Sequence, residues 1–457
     1  MPPIVALFLT VAFVVFLYRR DIRERPNVTG ALWLPLLWML ILGSRSVALW
    51  LDTLGLPTVF GSLEEGNPLD STVQLIFIAA GVYVLNRRQV SLGEIFRNNG
   101  WLMAFLLYCF ISIAWSDFPF VASKRWIKIL GHPIMALIIL TEPDAEEALT
   151  RLMKRCAYIL VPFSILFIKY YPEWGRGFEF WTGQGFNMGV TTNKNSLGVD
   201  CFILGLFFFW HLLQIRRTPR SKARRNELLL TLGFLYMIWW LLWKANSQTS
   251  FLALLIGILT IVLVDLPFVN KRLIGVYALM VVVTLTVTEL VFGIYGHVVG
   301  LSGHDATVAG RAELWGDLLA LRTNPIFGVG FESFWLGGRL RTISESRWWH
   351  PTEAHNGYLE IYLDLGLIGL FMLVGLIIAI FRKIRLALLR NFQFGRFRLG
   401  FLVATVFYNW TESSFRGLSF VWCIFYIIAM EYPRPDQSFV FETSEQEREW
   451  AYAEGEP

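Results

Sequence analysis

Residues 350–381, HPTEAHNGYLEIYLDLGLIGLFMLVGLIIAIF, pass from a polar, histidine-bearing stretch into an apolar run. About 20 mostly apolar residues make a helix that can cross a bilayer, and the run from Gly357 is long enough. Upstream, residues 273–293, LIGVYALMVVVTLTVTELVFG, form a second such run. Between the two lies a polar stretch, 294–356, holding Gly310-Arg311, Trp315, Asn324-Pro325, Gly328-Val329-Gly330 and His350-Pro-Thr-Glu-Ala-His355-Asn356. A polar loop of this length on an apolar scaffold points to chemistry at a membrane surface.

The rest of the chain agrees. Its 457 residues are 55% hydrophobic and only 16% charged, where soluble proteins average about 25% charged. Mean hydropathy is +0.52. Further apolar runs lie near 3–18, 30–50, 71–86, 101–115, 126–140, 156–170, 190–214, 228–243 and 249–267. A last region, 398–430, is broken by Asn409-Trp-Thr-Glu-Ser-Ser-Phe-Arg416. The expected fold class is all-α, a polytopic membrane protein with about twelve or thirteen transmembrane helices. The runs are continuous rather than alternating, which excludes a barrel. The first run is followed, not preceded, by its positive charge at Arg19-Arg20, so it reads as an uncleaved span and not a signal peptide.

Lys and Arg clusters at 19–25, 87–97, 151–155, 216–225, 271–272 and 382–396 fall in alternate connections, which places them in the cytoplasm. The connections 51–70 (with Glu64, Glu65 and Asp70), 116–125, 171–189, 244–249, 294–356 and 409–416 are then external. Four parts are expected: N-terminal spans 1–293, a large periplasmic loop 294–356 with short amphipathic helices, C-terminal spans 357–430, and a cytoplasmic polar tail 431–457, expected to be disordered. Cys109, Cys156, Cys201 and Cys423 lie in or beside apolar runs and form no CxxC pair. They are expected to be small core residues, with no disulfide or zinc site. No Walker motif, helix-opening GxGxxG or HExxH is present, so no cofactor and no nucleic-acid partner are expected.

The polar external residues carry the candidate chemistry, since ionisable groups are expensive near lipid. His355 stands just before the helix expected from Asn356-Gly357, and an imidazole exchanges protons near neutral pH. The plainer alternative is a helix-start histidine bonded to a loop carbonyl. His350, Glu353 and His355 do not match a helical metal-ligand pair, so no metal is expected. His297 and His304 read as solvated, and His132 and His211 as structural. Arg311 is read as opening an amphipathic helix, where its guanidinium adds to the positive helix end and suits phosphate oxygens. The alternative is an interfacial arginine against headgroups.

Thr191-Thr192-Asn193-Lys194-Asn195-Ser196 reads as a helix cap that could also meet a phosphate through Lys194. Lys244-Ala-Asn246-Ser247-Gln248-Thr249-Ser250 reads similarly. Lys124 and Arg125 are cations on an external connection, against the charge rule, and an anionic ligand would supply the reason. Glu412 and Arg416, in the last break, suit an ion pair or a second acid/base. Aromatic residues crowd the outer side (Trp174, Phe178, Phe180, Trp181, Trp335, Trp348, Trp349). They fit an interfacial belt and are compatible with carbohydrate.

The order of Thr-Asn-Lys-Asn-Ser-Leu-Gly (192–198), Ser-Gln-Thr-Ser (247–250), Gly-Arg-x-x-x-Trp (310–315), Asn-Pro-x-x-Gly-x-Gly (324–330) and Ala-His-Asn-Gly-Tyr (354–358) resembles the O-antigen ligase and polymerase superfamily. Trp-Ser-Asp-Phe-Pro with Lys-Arg-Trp (115–126) looks most like its ExoQ-type exopolysaccharide branch. The resemblance covers about 100–430. It implies a metal-independent glycosyltransferase of the bacterial inner membrane acting on undecaprenyl-pyrophosphate-linked glycans at the periplasmic face. Arg311 matches a family position that holds pyrophosphate, and His355 one assigned to the acceptor. Gln248 stands where many relatives carry an arginine, so a second cation would come from Lys194, Lys124, Arg125 or Lys244. Asn195, Asn356, Gln248 and Glu412 complete the expected substrate-binding set. The expected function is polymerisation of lipid-linked repeat units into exopolysaccharide, with membrane lipid, a chain-length regulator and a flippase as partners. The alternatives are a ligase onto lipid A core or protein, and a transporter or flippase.

Overall fold

The structure is a computed structural model describing residues 1–57, 61, 66–178, 183–292, 305–321, 323–347 and 350–433. Glu64, Glu65, Phe180, Trp181, His297, His304, Trp348, Trp349 and the tail beyond 433 lie outside these residues. In chain order the helices are α1 (Pro3–Arg23), α2 (Trp33–Leu42), α3 (Val47–Thr53), α4 (Pro68–Arg87), α5 (Leu92–Asn98), α6 (Gly100–Ile111), α7 (Pro119–Ile129), α8 (Gly131–Leu140), α9 (Ala145–Tyr170) and α10 (Pro172–Gly175). There follow α11 (Lys194–Arg217), α12 (Lys222–Ala245), α13 (Gln248–Asp265), α14 (Ile274–Phe292), α15 (Asp305–Ala320), α16 (Gly337–Glu345), α17 (Gly357–Arg390), α18 (Phe392–Thr411) and α19 (Phe420–Ala429). One departure from all-α is a small antiparallel hairpin, β1 (Arg176–Phe178) with β2 (Gly185–Asn187). The connection 116–125, expected as a loop, is helical from Pro119.

The apolar runs of the sequence lie largely on helix, with breaks such as 43–46 and 412–419. Among the described residues, six helices are long and apolar enough to cross a membrane, or up to eight if the bent pairs 30–53 and 92–115 each count as one span. The chain is therefore multi-pass, and the expected dozen spans exceeds this measure. The difference lies in pieces such as α8 and α19, each of 10 residues, too short to cross alone at 1.5 Å per residue. The region 398–430 resolves into two helices, α18 and α19, separated by 412–419.

α11 lies at the centre: 72% of its apolar window is buried, against 11% in α1 and 6% in α4. The outer helices leave apolar side chains facing outward, as a lipid-exposed rim does. Close approach at the centre depends on small residues, as is common where no water drives association. A Cβ on Gly400 would stand 3.0 Å from the Gly257 carbonyl, so α13 and α18 meet backbone to backbone there.

Polar groups divide between the two ends of the bundle. At one end the clusters assigned to the same side by the sequence meet one another. Arg155 and Arg151 hold Asp21 at 2.7 and 2.9 Å, Lys154 and Arg20 hold Glu227, Arg88 meets Glu142 at 2.5 Å, and Arg217 and Arg396 share Asp265. At the other end of α11, roughly 35 Å away by helix rise, stand Lys194, the hairpin, and the starts of α13 and α17.

The segment 325–330 has a structural task. α17 contains a break at Gly366, with φ 65° and ψ −164°, a conformation open essentially to glycine alone. Backbone groups freed by the break are taken up by the loop: Gly330 N donates to Asp364 O at 2.8 Å, and Leu367 N to Pro325 O at 2.9 Å. A Cβ on Gly328 would meet Asp364 O at 2.3 Å, and one on Gly366 would meet Ile326 O at 2.2 Å. The Asn-Pro-x-x-Gly-x-Gly motif thus seals an irregular turn that lipid could not solvate.

Candidate active site

Three chain ends converge on one cavity. Asn193 caps α11, its Oδ1 accepting from Ser196 N at 2.8 Å. Asn356 caps α17, its Oδ1 accepting from Tyr358 N and Leu359 N at 3.0 and 3.1 Å. α18 stops at Thr411, and Glu412 follows in extended conformation. The cavity between them has a volume of ≈ 470 Å³, within the range of small-ligand pockets. It is lined by Lys194, Asn195, Asp200, Glu353, His355 and Glu412, with Phe186, Tyr408 and Phe420 among its aromatic walls.

Glu412 is the hub. Its Oε2 lies 3.4 Å from His355 Nδ1, its Oε1 accepts from Asn195 Nδ2 at 3.3 Å and from Arg311 Nη2 at 3.4 Å, and its carbonyl accepts from Gly357 N at 3.1 Å. Glu353 Oε1 is the second carboxylate on His355 Nδ1, at 3.2 Å. The imidazole therefore presents Nδ1 to two carboxylates. His355 itself has φ +50°, an uncommon left-handed conformation in which a strained residue often marks a working site.

Arg311 reaches the same cluster but not from a helix start. The helix begins at Asp305, so Arg311 is seven residues in, beyond the first turn where the dipole acts. Gly310, read as the break before the helix, is absorbed within it. Arg311 instead donates to Thr411 O at 2.8 Å and so caps the C-terminal end of α18, where cations are favoured.

A second layer supports the first. Glu360, 1% exposed, accepts from Ala354 N at 2.6 Å and from Trp335 Nε1 at 2.8 Å, and pairs with Arg416 at 3.1 Å. Trp315 Nε1 donates to Ala354 O at 2.8 Å. These bonds hold the 350–356 turn from both sides. Burial pushes the Glu353 carboxyl up from its ordinary range, opposed by His355 and Arg416. For Arg416, burial disfavours the charge, but the Glu360, Glu353, Glu332 and Asp364 carboxylates outweigh it and hold the guanidinium above its usual value.

The structure thus brings together His355, Arg311, Glu412, Asn195, Asn356 and Lys194. It does not bring the other expected residues to the cavity. Lys244 lies over the Trp243 ring at 4.6 Å, and Gln248 is exposed at the start of α13. Lys124 lies over Phe120 at 4.4 Å. Arg125 donates to the carbonyl of Glu332, whose side chain in turn accepts from Gly417 N. The Ser247–Ser250 turn packs against α11, where a Cβ on Gly198 would meet Ser247 Cβ at 2.6 Å.

One metal-ligand grouping occurs among the described residues. Glu353, His355 and Glu412 offer donor atoms within 4.8 Å of one another, a set that local spacing could not reveal because Glu412 comes from a distant segment. Each carboxylate already faces a guanidinium: Glu412 meets Arg311 at 3.4 Å, and Glu353 lies 3.9 Å from Arg416. Glu360 and Asp200 escaped sequence reasoning. Asp200 is a lone carboxylate within an apolar helix, and Glu360 shares one with Asp364; acids in such helices are the signal that could have found them.

Comparisons with known proteins fit this geometry. A family model described as O-antigen ligase matches residues 190–374, a stretch that includes Lys194, Arg311 and His355 but stops short of Glu412. The chain is 27% identical over 299 residues to the exopolysaccharide production protein ExoQ of Rhizobium meliloti (strain 1021). That match covers 62% of this chain and 64% of ExoQ, just under two thirds of the relative's length. The likeness to the O-antigen ligase superfamily, and to its ExoQ-type branch, stands on both findings.

Proposed function

We propose that the protein is a membrane glycosyltransferase that joins undecaprenyl-pyrophosphate-linked oligosaccharide repeat units into an exopolysaccharide at the periplasmic face of the inner membrane. The observation that carries this reading is that His355 and Glu412 line one cavity and that Arg311 pairs with Glu412 at its edge. An acceptor hydroxyl of one unit forms the new bond to the anomeric carbon of the growing chain. The anomeric carbon–oxygen bond to pyrophosphate breaks, and the lipid pyrophosphate leaves with the electron pair. His355 takes the hydroxyl proton, and the Glu412 and Glu353 carboxylates stabilise the imidazolium. Arg311, with Lys194, offsets charge that develops on the leaving group, an electrostatic term that often dominates such barriers. The donor is already activated, so the reaction needs no nucleotide, and no metal takes part. The 294–356 segment excludes water that would otherwise hydrolyse the donor. A chain-length regulator and a flippase act as partners.

The test is reconstitution of purified protein with lipid-linked repeat units. Glycans lengthening without a second acceptor support polymerisation. Transfer only when lipid A core or a protein acceptor is added would support a ligase, the reading that the family model's description favours. His355→Ala and Arg311→Ala are expected to leave folded protein in the membrane while single units accumulate on lipid. Wild-type polymer length in either variant removes that residue from the mechanism.

A further inference from the structure

Asp200 is the group at this cavity that the proposed mechanism does not use. It lies on α11 roughly 9 Å beyond Lys194 along the helix axis, on the face that also carries Asn195 and Ser196 into the cavity. Its residue is 4% exposed, and its Oδ2 has no hydrogen-bond partner among the described residues. The room for this carboxyl comes partly from Gly43, where an added Cβ would stand 3.3 Å from Asp200 Oδ1 and 2.8 Å from Leu160 Cδ1. Buried polar oxygens are nearly always satisfied, and leaving one unmade is costly. Asp200 lines the cavity, so a ligand held there would supply the donor that this carboxyl lacks.

The chemistry of that ligand follows from the walls. An unpaired carboxylate accepts hydrogen bonds and repels phosphate oxygens, whereas Glu412 and Glu353 each face a guanidinium, so the pyrophosphate does not lie against Asp200. Leu42, Val199 and Phe420 add apolar and aromatic surface around it. A hydroxyl donor on a ring with an apolar face suits both features. We infer that the inner part of the cavity is a sugar subsite, in which Asp200 accepts a hydrogen bond from a hydroxyl of the glycan and selects among sugars by the position of that hydroxyl. The pyrophosphate lies toward Arg311 and Lys194. This assignment rests on the glycosyl-transfer reading and deepens it: the cavity has a glycan end and a phosphate end, and Asp200 is a specificity-determining residue at the first.

The experiment uses two probes on the purified full-length protein. One is the oligosaccharide repeat unit, freed of lipid and phosphate by mild acid from the producing cell's own lipid-linked intermediate. The other is inorganic pyrophosphate. Asp200→Ala is expected to weaken oligosaccharide binding about tenfold or more, the usual worth of a hydrogen bond to a charged group, and to leave pyrophosphate affinity unreduced. Arg311→Ala is expected to weaken pyrophosphate binding. Asp200→Asn keeps the volume and one acceptor oxygen, and is expected to lose less affinity than Asp200→Ala. Removing an unpaired buried carboxylate should also raise the melting temperature of the empty protein, whereas a structural aspartate would lower it.

In turnover, the loss should appear in KM for lipid-linked units more than in kcat. Folded Asp200→Ala and Asp200→Asn variants with wild-type oligosaccharide affinity would overturn the inference, and so would wild-type protein that binds no oligosaccharide. A wild-type protein that polymerises while both variants match its KM sinks the subsite and spares the polymerase. Aspartate-dependent oligosaccharide binding without polymerisation does the reverse.

Discussion

Glu412→Gln tests the centre of the mechanism. The amide keeps the size of the side chain and can still accept from Arg311 and Asn195, but it has no charge to meet an imidazolium. At the observed 3.4 Å between His355 Nδ1 and Glu412 Oε2, a unit-charge pair at an effective permittivity of 20 interacts by roughly 5 kcal/mol. Two features reduce that figure. The His355 side chain is 22% exposed, so solvent screens it, and Glu353 at 3.2 Å remains as a second carboxylate. A loss of about 2–3 kcal/mol in transition-state stabilisation is the reasonable expectation, or roughly 30- to 150-fold in rate.

The loss should fall on kcat, because the charge on His355 arises only as the hydroxyl proton is taken. The assay is steady-state extension of lipid-linked repeat units by reconstituted protein, at saturating and limiting substrate. A Glu412→Gln variant with wild-type kcat would remove the carboxylate from the proton step. A rise in KM alone would reassign Glu412 to binding.

Three other outcomes follow from the geometry. Gly366→Ala should cost at least about 2–3 kcal/mol, because the conformation excludes a side chain and the new Cβ would strike Ile326 O; the check is thermal unfolding of the membrane-extracted protein, where an unchanged melting temperature would contradict the break described here. Treatment with EDTA should leave polymerisation at its untreated rate, since the carboxylates near His355 face Arg311 and Arg416; activity lost on chelation and restored by a divalent cation would make Glu353, His355 and Glu412 a metal site. Glu353 has a raised folded-state pKa, so the folded protein binds a proton more readily than the unfolded chain, and stability should fall as pH rises from the ordinary glutamate range through that raised value. Glu353→Gln should therefore flatten this slope and raise the melting temperature at pH 7 but not at acid pH, by a modest amount because the side chain is 30% exposed; an unchanged slope would count against the burial effect.

Much of this was legible in the sequence because bilayer physics writes itself in long runs. The expected spans lie largely on helix, and charges that alternate between connections in the sequence meet in space, as Asp21 does with Arg151 and Arg155. What the sequence hid is where helices bend or stop. Apolar composition does not distinguish one 15-residue helix from two short ones meeting at Leu130. The start of the Arg311 helix was placed at Gly310-Arg311, whereas the helix already runs from Asp305. The site was half visible. His355 and Arg311 stood out as polar residues in a polar stretch, and Glu412 as an acid in an apolar region. Their meeting depends on α18 returning beside α17, a long-range pairing that local spacing does not encode. Lys124, Arg125 and Lys244 were grouped with them as cations on connections read as external, and Gln248 because the resemblance sets it where many relatives carry an arginine.

The convergence of helix ends explains why the site lies there at all. A helix interior satisfies its own backbone, so an ordinary spanning segment offers a polar substrate little to hold. Helix starts leave N–H groups to be capped; the start of α11 lines the cavity through Asn193–Ser196, and His355, just before the start of α17, lines it too. Their partial positive charge favours an anion. The end of α18 presents carbonyls of opposite polarity, and Arg311 caps one of them at Thr411. The same guanidinium also holds Glu412, so in the empty protein its charge is shared between a carbonyl and a carboxylate. In the proposed reaction, an arriving pyrophosphate would draw it from both. That competition would tie the phosphate end of the cavity to the group that steadies His355: as Arg311 turned toward the leaving group, Glu412 would lose its cation and become the better partner for a protonated imidazole. Leaving-group stabilisation and proton acceptance would thereby be coupled through one carboxylate.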